Sequence, residues 1–198
     1  MLLSSCLLAA CAPDPEGEGL VGEGWANPFP SALHEADGRV ALDAAWLPQA
    51  VDGAPIPVER LAWRSGFSPA QTAVVRLDTV QASALPSWRA PTPGEGGVRL
   101  LDRDAGTWLP CMAELDAWPD QDRPGLLVRP VAALPVGHRV AVVLTTQVAD
   151  RPERFDRLVR GRVPSDLDPW DQAFEALVDD IEAAGLPEGE VALAWDFA

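Results

Sequence analysis

Arg139-Val140-Ala141-Val142-Val143-Leu144-Thr145-Thr146 is the stretch that decides the fold class. Branching at Cβ suits these side chains to a pleated surface, and the run is too short for a typical helix. Leu134-Pro135-Val136-Gly137 precedes it as a tight lead-in turn. With a side-chain period of two, Val140, Val142 and Leu144 point to one face. Working outward, Val98 to Leu101 and Thr107 to Leu109 flank Asp102-Arg103-Asp104-Ala105-Gly106, which reads as a hairpin with a Gly-containing loop. Further strands are expected at Thr72 to Leu77, at Gly125 to Val128 before Pro130, and at Arg39 to Leu42 after the Asp37-Gly38 turn. Short strands with Pro- and Gly-rich connections suggest a β-sandwich rather than a parallel α/β sheet. The chain's 20 Pro residues agree, because Pro is excluded from helix interiors and central strands.

One amphipathic helix is expected near the C-terminus. Asp168 is its N-cap and Pro169 its first residue, where a missing N–H costs nothing. Trp170, Phe174, Leu177, Val178 and Ile181 share one face, and Gly185 stops the helix. We read this stripe as core-facing rather than as a ligand surface. Beyond it, Val191, Leu193, Trp195 and Phe197 alternate with Ala192, Ala194 and Asp196, the pattern of a half-buried strand. Asp196 then stands either as a buried structural acid or as a contact to a following domain.

The 198 residues carry 15 Arg and no Lys against 30 acids, a net charge of −15. Nucleic acid is thereby excluded as a partner, since phosphate binding needs cationic side chains. At 47% apolar the composition is that of a globular chain, and no apolar run approaches the roughly 18–20 residues of a bilayer span.

Met1 to Ala10 is apolar or small and ends in Leu8-Ala9-Ala10-Cys11. This resembles the lipobox of bacterial lipoproteins, where small residues fit the peptidase ahead of a Cys that is lipidated. The resemblance implies a signal peptide over 1–10, lipidation at Cys11 and an exported chain. Ala12 after the Cys points to the outer membrane. Residues 11–26 follow as an acidic Pro/Gly tether. As flexible coil, the stretch Ala12 to Gly24 within it, about 13 residues, reaches roughly 20 Å. With Cys11 acylated and Cys6 removed, Cys111 is alone and reads as a small buried hydrophobe beside Trp108, Leu109 and Met112.

The search for chemistry yields no catalytic residue, no metal ligand set and no cofactor. The nearest approach to a nucleophile elbow, Gly66-Phe67-Ser68-Pro69-Ala70, puts a residue without an N–H where the oxyanion donor belongs. Ser68 reads instead as the cap of a turn. His34 lies beside Glu35 and Asp37 and His138 follows a turn. Neither has zinc-ligand spacing, and both read as solvated or turn-capping. Asp116, Asp120 and Asp122 form an acidic loop whose Ca²⁺ binding the sequence leaves open.

Five stretches occur in a recognisable order: Asn27-Pro28-Phe29-Pro30-Ser31; Asp37-Gly38-Arg39-Val40; Leu61 through Gly66-Phe67-Ser68; Leu134 through Thr145; and Val191 through Phe197. Together they resemble the N-terminal domain of bacterial lipoprotein lipases and esterases of the virulence factor lipase type. The resemblance implies an Ig-like β-sandwich over 27–198, followed in a longer protein by an α/β-hydrolase domain. The Ser, acid and His of that hydrolase have no matching positions here. The implied role is a non-catalytic, lipid-anchored domain that positions the hydrolase at the cell envelope. An alternative is a stand-alone envelope lipoprotein with a protein- or glycan-binding module, for which Trp46, Trp88 and Trp118 beside Pro or in loops are candidates.

Overall fold

In the computed structural model, residues 20–21, 27–42, 53–54, 57–60, 62–89, 91–116 and 125–198 are described. Along these residues the chain forms β1 (Glu35–Ala36), β2 (Arg39–Val40), β3 (Ala73–Arg76), β4 (Val98–Asp102), β5 (Thr107–Leu109) and β6 (Cys111–Leu115). It continues through β7 (Gly125–Pro130), β8 (Val140–Thr145), α1 (Glu153–Val159), α2 (Asp171–Ala183) and β9 (Val191–Phe197). The fold is mainly β. Strands β5-β4-β8-β9 make one sheet, β3-β7-β6 a second and β1-β2 a small hairpin, with every pair antiparallel.

The decisive stretch becomes β8, central in its sheet. Val98 pairs with Leu144 and Asp102 with Val140 on one side. On the other, Leu144 pairs with Leu193 and Val140 with Phe197. All six β8 residues are buried. Residues of both larger sheets and both helices join one hydrophobic cluster. Between the sheets, Cys111 of β6 donates its S–H to the Val98 carbonyl at 3.6 Å. This arrangement is consistent with a β-sandwich.

The last strand departs from expectation. All seven residues of β9 are buried, not every second one. Asp196 lines a pocket together with Ala173 and Ala176 of α2, so the small-residue face of β9 lies toward that helix. Alanines there let a helix approach closely, which alternation alone does not reveal.

The helix also starts later than expected. Asp168–Trp170 is a 3-10 turn containing the Pro, and α2 begins at Asp171 with no side-chain cap. Phe174, Leu177 and Ile181 are its buried face, while Trp170 and Val178 are half-buried. Its end is as read. Gly185 takes φ +90°, its N–H reaches the Glu182 carbonyl, and the Leu186 N–H reaches that of Ile181. Both Ile181 and Leu186 are buried, completing the hydrophobic contact of a Schellman cap. Three elements had no clear sequence signal: β1 is two residues long, β6 has no β-branched residue, and α1 makes only two turns.

Candidate functional site at the end of β9

Charged side chains gather where β4, β8 and β9 end together. The β4–β8 register sets Arg103, just past β4, beside Arg139, just before β8, and the Arg103 N–H donates to the Arg139 carbonyl at 3.0 Å. Both guanidiniums converge on Asp196. Arg103 Nη1 pairs with its Oδ2, and Arg139 Nε donates to the same oxygen at 2.8 Å. Arg103 also holds Asp180 of α2 at 2.7 Å, and Arg139 holds Glu35 of β1 at 3.1 Å. Glu35 in turn accepts the Ala198 N–H at 3.0 Å. Burial alone would lower the Arg139 guanidinium, but Asp196 and then Glu35 outweigh it and hold it above its ordinary value.

Glu35, Arg103, Arg139 and Asp196 form one wall of a pocket of about 480 Å³. Ala32, Ala36, Ala173 and Ala176 supply apolar surface to the same pocket. Asp196 thus proves to be a buried acid shared between two cations. Arg103, Arg139, Glu35 and Asp180 were not singled out from sequence. The antiparallel pairing of the two strands was the signal that could have placed both Arg at one sheet end.

On the opposite side of the same strand end the contacts are aromatic. The Phe29 and Phe67 rings stand 5.6 Å apart, and those of Phe67 and Phe197 6.1 Å apart, both edge-on. Trp195 Nε1 donates to the Pro30 carbonyl at 2.9 Å. Phe29 exchanges two backbone hydrogen bonds with Val74, and the Phe67 N–H reaches the Ala198 carbonyl at 2.8 Å. Gly66 packs so closely on Ala198 that a Cβ there would meet its carbonyl oxygen at 2.7 Å. His34 lies here too, its ring 5.5 Å from Phe29. It is 4% exposed, which corrects its reading as a solvated loop residue. The flanking acids suggested water, but a 3-10 turn over Ala32–His34 turns the imidazole inward. Burial lowers its pKa to about 4.

The other residues of interest fall as follows. Ser68 Oγ accepts the Ala70 N–H at 3.2 Å as the cap of a turn. His138 is half-exposed, and its Nδ1 lies 2.9 Å from Asp102. It is therefore partnered by a carboxylate rather than simply solvated. Cys111 is buried, and burial pushes its thiol up to about 12 against a smaller opposing effect from a backbone hydrogen bond at Leu100. Asp116 is exposed, while Asp120 and Asp122 lie outside the described residues. So do Cys11, most of the 11–26 tether, Trp46 and Trp118. Trp88 is 68% exposed.

No family model, curated protein or solved structure matches this chain.

Proposed function

We propose that this chain is a non-catalytic, lipid-anchored domain of Ig-like type that positions an α/β-hydrolase, a lipase or esterase, at the cell envelope. One observation carries the reading: the stretches behind the family resemblance meet around the end of β9. Pro30 bonds Trp195, Phe29 packs on Phe67 and Phe67 on Phe197. The Val40 N–H reaches the Arg64 carbonyl at 2.9 Å, and β8 pairs along β9. Motifs that pack on one another serve architecture, and this architecture stiffens the strand from which a following domain would continue. The anchor rests on Leu8-Ala9-Ala10-Cys11 and the acidic tether behind it. The outer membrane is the destination, reached through the lipid rather than through a protein span. Lipoprotein anchors carry more than one acyl chain, as stable attachment requires.

The alternative, a stand-alone envelope module that binds a protein or glycan, draws on Trp63 and Trp88, which are 70% and 68% exposed.

The test is expression of the whole chain in a diderm bacterium. Mass spectrometry should find an acylated Cys11 at the N-terminus, and Cys11→Ala should release the protein from the membrane fraction. The purified chain should not hydrolyse short or long p-nitrophenyl esters. An unmodified Cys11 overturns the anchor. Ester turnover that disappears in Ser68→Ala, His34→Ala or His138→Ala overturns the non-catalytic role.

A further inference from the structure

Asp102 closes β4, Asp104 sits in the turn after it, and His138 precedes β8. Their ligand atoms, a carboxylate oxygen from each Asp and an imidazole nitrogen, all lie within 4.8 Å of one another. His138 Nδ1 stands 3.0 Å from Asp102 Oδ1 and 2.9 Å from Oδ2. Backbone donors aim both carboxylates. The Ala105 N–H bonds Asp102 Oδ1 at 3.1 Å, and the Arg139 N–H bonds Asp104 Oδ2 at 2.6 Å.

The burial of Asp102 adds an argument from charge. The Asp102 side chain is 4% exposed, and a buried carboxylate needs a cation or a set of donors to replace water. The neighbouring guanidiniums do not serve it, because Arg103 is committed to Asp180 and Asp196, and Arg139 to Asp196 and Glu35. Among the described residues its one side-chain partner is His138, and no donor but that imidazole meets Oδ2.

We infer that Asp102, Asp104 and His138 form a binding site for a divalent transition-metal ion, with zinc the best match to one nitrogen and two oxygens. Ligand atoms on a tetrahedral zinc stand about 3.4 Å apart at bonds of ~2.1 Å. The observed 2.9–3.0 Å opens to that spacing when the imidazole withdraws by about half an ångström. His138 has the freedom to move, its side chain being 41% exposed. Water fills the fourth position from the solvent side. The bound ion ties the β4–β5 turn to the start of β8 and neutralises Asp102. Magnesium and calcium fit poorly, because both prefer an all-oxygen shell with more ligands.

The whole chain, stripped with EDTA and dialysed, is titrated with Zn²⁺ and separately with Co²⁺. We expect one equivalent to bind and raise the thermal midpoint, and the Co²⁺ form to show d–d bands without a thiolate charge-transfer band. His138→Gln and Asp104→Asn, both at positions open to solvent, should each weaken binding by about 100-fold. A Cys6→Ser, Cys11→Ser double variant should bind as the parent does. Absence of saturable binding overturns the site, as does a thiolate band. So does binding that survives His138→Gln or Asp104→Asn in folded protein, judged by circular dichroism.

Discussion

On one face of β9, Trp195 and Phe197 are gripped by rings and a single neutral hydrogen bond; on the other, Asp196 is gripped by two guanidiniums. Strand alternation brings two unlike environments within one residue of each other. The aromatic side gains from area removed from water and from edge-on ring geometry, neither of which depends on charge. The ionic side returns little net energy, because desolvation offsets most of the attraction, yet losing one partner is severe. A site built this way is rigid through two mechanisms that fail under different perturbations. Separate substitutions and a pH scan can therefore tell the grips apart.

Asp196→Ala should have the largest effect. It takes one of two carboxylate partners from Arg103, whose side chain is 12% exposed and which keeps Asp180, and one of two from Arg139, which is 37% exposed and keeps Glu35. Breaking a buried pair costs about 3–5 kcal/mol, and the carboxylate each guanidinium retains, with the partial exposure of Arg139, favours the lower end. Urea denaturation at pH 7 measures it. A loss below about 1 kcal/mol would class the group with surface ion pairs and dissolve the contrast between the two faces.

How legible these grips are in the sequence depends on the distance over which each is decided. Residues 139–146 read as a strand because apolar run, β-branching and flanking turn all agree, and β8 forms there. The Gly185 stop is local in the same way. By contrast, Asp196 meets Arg139 across 57 residues and Arg103 across 93, so no local pattern connects them. His34 misleads for a related reason. Its acidic neighbours indicate solvent, but Phe29, brought up by its pairing with Val74, buries it. Burial on both faces of β9 depends on where α2 packs, which the helix's own periodicity cannot state. The lipobox and tether are read from composition and motif, and their residues fall largely outside those the structure describes.

Acid should weaken the aromatic side first through His34. Its pKa falls from 6.5 to about 4 because burial disfavours the charged ring. The unfolded chain therefore takes up this proton at a higher pH than the folded one. The stability so contributed is complete above pH 6.5 and is lost as pH falls to about 4. At 1.36 kcal/mol per pH unit this amounts to about 3 kcal/mol. Carboxylates titrate in part of the same window, so the measurement is a difference. Unfolding free energies of the wild type and His34→Leu, compared at pH 7 and pH 4, isolate the imidazole. His34→Leu should show a shallower decline; parallel curves would mean that His34 is solvated and that the aromatic side is not dry.

The smallest effect is expected where the two sides are joined. His34 faces the rings while Glu35, its neighbour, holds Arg139 and the Ala198 N–H, so one hairpin serves both grips. Its turn sets Asp37 at φ 52° and Gly38 at φ 69°, the positive values a two-residue type I′ turn needs. A Cβ at Gly38 would meet nothing within 4 Å, so Gly38→Ala tests backbone strain without a clash. The cost should be about 1 kcal/mol, the usual penalty for a side chain in the left-handed region. Urea unfolding at pH 7 gives the total, and repeating it at pH 4 apportions it. If the turn positions both residues, Gly38→Ala should lower stability at pH 7 and also reduce the His34-dependent loss on acidification. A loss at pH 7 with an unchanged acid response would assign the turn to the ionic side alone.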